Sequence, residues 1–173
     1  SKRQAVDLEK ANEDLKRKEE IQALLKELSQ DITKLDIDSL LKKLTEKVRE
    51  LLKVDVADVR LLEGKEWYVR GLSGMDPRTV PARRPGTGRS RSGWILKNRR
   101  PLVVPDITRS EEIPEGGTIE AQGIRGYLGV PTFSREGEVI GILRALTYQP
   151  REFTQEEVDL LQQLANGAAI ALE

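Results

Sequence analysis

The chain has 173 residues, no formal net charge, 38% hydrophobic and 34% charged residues, and neither cysteine nor histidine. Without cysteine there is no disulfide, thiolate nucleophile, or cysteine-ligated zinc or iron–sulfur cluster. Without histidine there is no imidazole base and no histidine-ligated haem. The balanced charge also argues against a general nucleic-acid binder. The length predicts one domain with an appendage.

No run of about eighteen apolar residues occurs, so we expect no direct membrane insertion. No basic segment followed by an apolar one opens the chain, and this predicts a cytoplasmic location. Ser1 stands where a natural start would have Met, which indicates a piece of a longer protein. The absence of a stop signal before Glu173 predicts that the last helix continues into an output domain.

Residues 1–35 are rich in Lys, Glu, Leu and Gln and contain no Pro or Gly, which predicts one long helix. Its apolar residues form two heptad-like seams that are out of phase, with the break at residues 16–20. This pattern predicts a signalling helix in a parallel dimeric coiled coil. The alternative is a solvated helix that packs on its own domain. The first seam comprises Leu8, Ala11 and Leu15, and the second Ile21, Leu25, Leu28, Ile32 and Leu35.

The next segment predicts a second helix, capped by Asp36 or Asp38, and then a β-hairpin with strands at residues 54–62 and 66–72. Side chains on the first strand alternate between two faces of the sheet. One set is Ala57, Val59 and Leu61, and the other is Asp58, Arg60 and Leu62.

Residues 73–88 contain three Pro and three Gly and predict a loop. The following PGTGRSRSG stretch lacks the lysine and the preceding strand of a phosphate-binding P-loop. Residues 83–100 carry seven basic residues and no acidic one, and they include a short predicted helix at 90–98. A short strand at 101–104 and an acidic loop at 106–122 follow. The opposite charges predict that the two loops close over the sheet.

The last fifty residues give the clearest pattern. Apolar runs at 127–133 and 139–148 flank a short polar turn, which predicts a second hairpin. From residue 155 the apolar residues recur at steps of three and four, which predicts an amphipathic helix. Thr154 and Glu157 have the spacing of a capping box, and Phe153 and Val158 that of a hydrophobic staple.

The order of these motifs resembles the C-terminal half of a GAF domain, a family of sensory and regulatory modules related to PAS domains. The motifs are Gly-Ile-Arg-Gly, a strand into Val-Pro, Val-Ile-Gly-Ile-Leu and Pro-Arg-x-Phe-Thr-x-Glu-Glu. Residues 103–107 match as well, so the resemblance covers residues 36–173, with the signalling helix at 1–35. It implies an α/β (α+β) fold with an antiparallel sheet of five to six strands. The second and last helices would pack on one face, and loops and short helices on the other.

The resemblance also suggests where a ligand would bind, because the second sheet face lines the ligand cavity in this family. Arg60 and Arg144 lie mid-strand in apolar runs, and a buried arginine needs an acceptor. Either they bind an acidic ligand, or they pair with Asp58, Asp106 or a loop glutamate. The candidate pocket residues are Arg60, Trp94, Asp106, Tyr127 and Arg144.

The resemblance implies a non-catalytic sensory module of a bacterial-type signalling protein, such as a sensor histidine kinase, that binds a small molecule. One alternative is a ligand-free dimerisation and relay module. Another is a cyclic-nucleotide-binding GAF domain, although Asn98 is followed here by Arg99 and not by the lysine of that signature. No cofactor is expected, because bilin attachment in this family needs cysteine and haem binding needs histidine. Methionine sulfoxide reductase activity in this family also needs cysteine. No metal is expected either.

The expected partners are a second copy of the chain and an unknown small molecule, without nucleic acid. The homodimer would form through the terminal helices. Its predicted contact residues are Leu8, Leu15, Ile21, Leu25, Leu28, Ile32, Leu164 and Ala168.

Overall fold

The computed structural model describes residues 2–28, 34–80, 83–85, 90–109 and 122–172. Its helices are α1 (Lys2–Leu28), α2 (Lys34–Leu52), α3 (Arg91–Asn98) and α4 (Gln155–Leu172). Its strands are β1 (Val56–Glu63), β2 (Glu66–Ser73), β3 (Arg83–Pro85), β4 (Leu102–Val104), β5 (Gly126–Phe133) and β6 (Val139–Thr147). A 3-10 turn spans Pro77–Thr79.

The strands form one six-stranded sheet in the order β3-β2-β1-β6-β5-β4, and all neighbouring pairs are antiparallel. The central pair, β1 and β6, is distant in sequence and aligns Val56 with Leu146 and Leu61 with Gly141. This fold was predicted from the family resemblance and is confirmed. Because side chains alternate along a strand, the sheet has two different faces.

One face packs against α2 and α4, as predicted. Ala57 and Val59 of β1 point to this side and join a core with the apolar stripes of both helices. The N-terminus of α4 carries the predicted capping box, in which Glu157 N donates to Thr154 Oγ1 over 3.2 Å and Thr154 N to Glu157 Oε1 over 2.9 Å. The predicted staple residues Phe153 and Val158 pack into the same core.

The opposite face carries α3 and a second apolar core. Buried Ile95 of α3 and Trp67 of β2 belong to it, together with the partly buried Leu62 and Trp94. Both predicted sets of β1 side chains therefore lie on the expected sides. Unlike the first face, the second face also buries charged residues.

Three local predictions were wrong. The predicted helix at 1–35 does not continue through Lys34 and Leu35, because these belong to α2, which lies antiparallel to α1. Asp36 is not the N-cap of α2, because it lies inside the first turn of the helix. A carboxylate at this position interacts favourably with the helix dipole. The stretch at 73–88 is not all loop, since β3 pairs Arg83 with Tyr68 at the sheet edge.

The C-terminal half of α1 packs on the domain, and we expect Leu24→Ala to expose this. Leu24 is buried in the core beside α2 and α4. Its truncation should lower the free energy of unfolding by about 2–5 kcal/mol. Chemical denaturation measures this, and amide hydrogen exchange should show faster exchange at residues 20–28. Leu15→Ala, at an exposed position of the same helix, should change monomer stability by no more than about 0.5 kcal/mol. Equal losses in both variants would contradict this packing.

Candidate functional site

A buried ion cluster lies at the centre of the second sheet face. Asp58 of β1 faces Arg144 of β6 directly across the strand pair. Arg144 Nε donates to Asp58 Oδ1 over 2.8 Å and Nη2 to Oδ2 over 2.6 Å, a bidentate pair. Arg60 Nε lies 3.6 Å from Asp58 Oδ2. All three side chains are almost completely buried, so the two candidate arginines surround one carboxylate.

Tyr127 extends the cluster toward α3. Its ring is buried, and the guanidinium carbons of Arg91 and Arg144 lie 5.4 and 5.9 Å from its centroid. Gly129 makes this position possible, because a Cβ there would lie 2.8 Å from the Tyr127 hydroxyl oxygen and 2.7 Å from Ile95 Cδ1. Three buried guanidinium groups and one buried carboxylate therefore meet on the described part of this face.

Local sequence places Arg91 over the sheet. Ser90 caps α3 by accepting a hydrogen bond from Gly93 N over 2.9 Å, so Arg91 is the first helical residue. A cation at a helix N-terminus opposes the dipole at a cost of about 0.3–1 kcal/mol, whereas a desolvated cation–π contact contributes about 2 kcal/mol. The contact with Tyr127 accounts for the position of Arg91 better than helix stability does.

Charge within the cluster sets the protonation state of Asp58. Burial by itself would raise the pKa of this carboxyl, because a low-dielectric interior disfavours the charged form. The charges and hydrogen bonds of Arg144, and then of Arg60, outweigh burial and hold the pKa below its usual value. Asp58 is therefore a carboxylate at neutral pH.

Asp106, a predicted pocket residue, joins two segments of the chain in the structure. Its carboxylate accepts hydrogen bonds from Arg125 Nε over 2.9 Å and Nη2 over 2.6 Å, and from Thr108 Oγ1 over 2.7 Å. Hydrogen bonds from Arg125 and then Thr108 lower the pKa of Asp106 far below its usual range. Ile107 N also donates to Arg125 O over 2.7 Å. Asp106 thus clamps together the two chain segments that flank residues 110–121.

The structure brings four of the five predicted pocket residues onto one sheet face. Arg60, Tyr127 and Arg144 lie in the ion cluster, and Trp94 of α3 packs against the apolar core beside them. Trp94 is half-buried and its ring lies 5.4 Å from the Arg100 guanidinium carbon. The acidic loop was predicted to close over the sheet together with the basic loop. Its glutamates, Glu111, Glu112, Glu115 and Glu120, lie outside the described residues.

Sequence reasoning missed Arg91, because the basic run at 83–100 was interpreted as a solvated face. A signal was present in the sequence. Arg91 lies four residues before Ile95 and therefore on the same side of the predicted helix. A helix that buries Ile95 against the sheet must bring Arg91 toward the sheet as well.

The middle of α1, the C-terminal end of α2 and the segment before α4 meet at a second charged site. We call it the helix junction and define it as Arg17, Arg151 and the carbonyls of residues 51–53. Arg17 Nη2 of α1 donates to Leu51 O over 3.0 Å. Arg151, just before α4, donates to Leu52 O over 2.6 Å and to Lys53 O over 2.9 Å. Arg151 also forms an ion pair with Glu157 in the capping box. The junction ties the helix that enters the domain to the helix that leaves it.

α1 changes environment along its length. From residue 2 to residue 18 every side chain is exposed, whereas Ile21 and Leu24 are buried against the domain. The change falls at the predicted phase break, where Arg17 joins the junction. At 3.6 residues per turn the two seams point about 110° apart. They are out of phase because only the second one faces this chain's own core.

The structure uses several predicted dimer residues inside one chain. Ile21, Leu164 and Ala168 belong to the core because α1 packs directly against α4. In this arrangement they are not accessible to a partner, and Leu25 is half-buried. Leu8 and Leu15 are 63% and 56% exposed and remain accessible. The side chain of Leu28 and all of Ile32 lie outside the described residues.

A model of the GAF domain family matches residues 36–172. The chain therefore belongs to the GAF domain family, whose members are typically regulatory, non-catalytic modules found in signalling proteins. The matched region begins after α1, although Ile21 and Leu24 of α1 contribute to the core.

Several solved structures share the fold. The GAF domain of an Acinetobacter phosphoenolpyruvate-protein phosphotransferase is 18% identical, with a TM-score of 0.73 over 88% of this chain and 90% of that one. The A. aeolicus nlh2 GAF domain in an inactive state is 17% identical, with a TM-score of 0.68 over 92% and 96%. Free methionine-R-sulfoxide reductase from Neisseria meningitidis, solved with its substrate, is 18% identical, with a TM-score of 0.68 over 86% and 83%. At these identities the likeness extends to the fold alone.

Within the described ranges, no group of three or more acidic side chains is arranged to hold a metal ion. The helices described here also lack an apolar stretch long enough to cross a membrane.

Removal of the Asp58 charge should be strongly destabilising. Asp58→Asn leaves the Arg144 and Arg60 guanidiniums buried without their carboxylate, which costs about 3–5 kcal/mol. Chemical denaturation measures the loss. In a double-mutant cycle, Asp58→Asn combined with Arg144→Met should cost about 1–3 kcal/mol less than the sum of the single changes. Additive losses would contradict a direct pairing.

The same pair predicts acid sensitivity. A carboxyl whose pKa is lowered on folding stabilises the protein fully above its unfolded pKa of about 3.9. That stabilisation is lost as the pH falls through the lower folded-state value. The denaturation midpoint of the wild type should therefore decline below about pH 4, whereas Asp58→Asn should decline less steeply. Parallel pH profiles would show that Asp58 is not the group responsible.

Proposed function

We propose that this GAF domain is a non-catalytic sensory module of a bacterial-type signal-transduction protein, such as a sensor histidine kinase. In this proposal it works in the cytoplasm as a homodimer. A small molecule that binds on the second sheet face changes the packing of the terminal helices. The observation that carries the proposal is the helix junction, because it couples the entering and leaving helices through one turn of α2.

The junction is suited to relay because it is polar and partly exposed. Arg17 and Arg151 hold carbonyl groups that the end of α2 leaves without helical partners. α1 runs antiparallel to α2 through Lys47–Glu20 at 3.7 Å and Lys43–Glu27 at 2.8 Å. Exposed ion pairs contribute little energy each, about 0–1 kcal/mol, so a modest change in affinity can rearrange these polar contacts of α1.

The buried ion cluster supports ligand binding on the second face. Arg144 of β6 joins the sheet centre to Tyr127, and Arg91 joins Tyr127 to α3. A ligand that moves α3 would change these contacts. Only a ligand with different affinities for the two arrangements could transmit a signal. The lack of cysteine supports a non-catalytic role, although some GAF-fold relatives are reductases.

The ligand-free relay module remains a second candidate, and one observation favours it. The described side chains under α3 are packed together, since Ile95, Tyr127, Ile142 and Leu146 are all buried in one apolar cluster. A domain whose second face is filled in this way needs no ligand to be stable. In this case the junction would pass on a change made upstream.

A binding screen separates the two candidates. The chain would be heated with nucleotides, cyclic nucleotides, carboxylic acids or aromatic metabolites. A ligand at about 100 times its dissociation constant adds about 2.7 kcal/mol, or roughly 5–10 °C for a domain of this size. Arg91→Met should abolish the shift if the ligand binds beneath α3, and Arg78→Met, on an exposed turn, should not. No shift with any class, in a protein that is still a dimer, would favour the relay module.

The dimer prediction rests on the first seam of α1. A polar helix with no packing is marginally stable in water, so this end of α1 needs a partner. Leu8→Glu combined with Leu15→Glu should convert the dimer to a monomer in analytical ultracentrifugation. Val6 is equally exposed but lies on the opposite side of the helix, so Val6→Glu should leave the dimer intact. A monomeric wild type at micromolar concentration would remove the dimer from the proposal.

A further inference from the structure

A cavity lies at the sheet edge, between α2 and the chain that leaves β2. Its volume is about 680 Å³, within the usual range of small-molecule pockets. One wall is the start of α2, with Asp38 and Lys42, and the second wall is β2 from Val69 to Ser73. The third wall is the connection from Gly74 to Val80. None of the four charged residues of the ion cluster lines this cavity.

Two glycines shape the cavity. At Gly71 a Cβ would lie 3.1 Å from Leu41 Cβ, so a side chain there would push α2 away from the strand. Gly74 has a φ of +93°, which favours glycine. A Cβ at this residue would also lie only 2.1 Å from Asp55 O, so no side chain fits. It therefore turns the chain sharply out of β2 and across the end of the cavity.

A β-bulge directs Arg70 toward α2. Val59 pairs with Gly71 and Arg60 with Val69, so Arg70 is the extra residue between them. A bulge changes the direction of a side chain that strict alternation would fix. Arg70 Nε consequently donates to Asp38 Oδ1 over 2.5 Å at the edge of the cavity.

The polar groups of the cavity favour an anion. Asp38 and Lys42 are four residues apart on α2 and lie on one side of the helix. The Asp38 carboxylate is already bonded to Arg70, whereas the Lys42 ammonium makes no hydrogen bond or ion pair within the described part of the chain. A carboxylate placed here would gain charge-assisted hydrogen bonds from Lys42 and lie beside Arg70.

The remaining lining is apolar. Val69, Leu72, Met75 and Val80 are only half-buried and line the cavity together with Pro77, although Leu72 and Met75 also pack against the apolar core of the second face. Apolar surface of this kind gains about 25 cal/mol for each Å² that a ligand covers. A carboxylate with an apolar body would satisfy both parts of the lining.

We propose that this cavity is a binding site for a small amphipathic monocarboxylate, with its carboxylate on Lys42 and Arg70 and its apolar body against Val69, Met75 and Val80. The site does not rest on the proposed sensing of a ligand at the ion cluster. Its ligand would join α2 to the β2–β3 connection, and α2 contacts α1 through Lys43 and Lys47.

Three probes of matched shape test the charge preference. Phenylacetate, phenylacetamide and phenethylammonium would be titrated into the whole chain by calorimetry. Phenylacetate should bind with a dissociation constant near 1 mM or tighter, as expected for a fragment of this size. The amide and the ammonium should bind at least about fivefold more weakly, because they lose the charge-assisted hydrogen bonds.

Variants locate the site. Lys42→Met keeps the aliphatic stem but removes the charge, and it should weaken phenylacetate binding about five- to tenfold. Lys43→Met is the matched control, since Lys43 pairs with Glu27, and it should leave binding unchanged. Met75→Trp should also weaken binding by filling the cavity. The amide resonances of Gly71, Ser73 and Gly74 should shift on titration.

Several outcomes would overturn the proposal. They are equal binding of the three probes, equal loss in Lys42→Met and Lys43→Met, or no saturable binding at millimolar concentration. Resonance shifts confined to the surroundings of Tyr127 would place the ligand at the ion cluster instead. Failure here would leave the helix junction and the dimer untouched, because neither involves Lys42 or Arg70.

Discussion

The pairing of Asp58 with Arg144 is the interaction on which the centre of this structure depends. It joins β1 to β6, two strands from opposite ends of the chain, and it does so where water is excluded. A buried charge without a partner would be very costly, so each residue requires the other. The pair also fixes the register of the central strands, because a shift of one strand by one residue would move its charge to the helix face and leave the other charge buried without this partner.

The arginines of the ion cluster and those of the helix junction lie in different environments. On one side arginines are buried against a carboxylate and an aromatic ring, where each contact is strong. At the junction Arg17 and Arg151 hold backbone carbonyls near solvent, where each contact is weak. The terminal helices are held by the core as well as by these polar contacts, since Leu24 of α1 and Leu161 of α4 are buried in it. A shift of either helix would therefore change the packing of the core as well as the junction.

Most of the fold could be predicted because local patterns agreed with one another. The capping box at Thr154 and Glu157, the alternation along β1 and the hairpin of β5 and β6 are all local, and all were confirmed. The wrong predictions fell where tertiary contacts decide. Asp38 looked like a helix cap, but it lies inside α2, which begins at Lys34, and its carboxylate is bonded to Arg70 of β2. That Asp106 lines a ligand pocket stays a prediction, and the sequence did not show that Arg125, nineteen positions later, binds its carboxylate.

The sequence by itself determined most of the elements, the family and the two out-of-phase seams of α1, because each depends on residue type and spacing along a short stretch. Only the tertiary structure decided which surface each seam faces, that Arg144 takes Asp58 as its partner, and that Arg91 stacks on Tyr127. Nothing in local spacing distinguishes Asp58 from Asp106 as the acceptor. Strand register makes that choice, because it places Asp58 opposite Arg144. The contact of Arg91 with Tyr127 depends in turn on Gly129, which leaves room for the tyrosine ring.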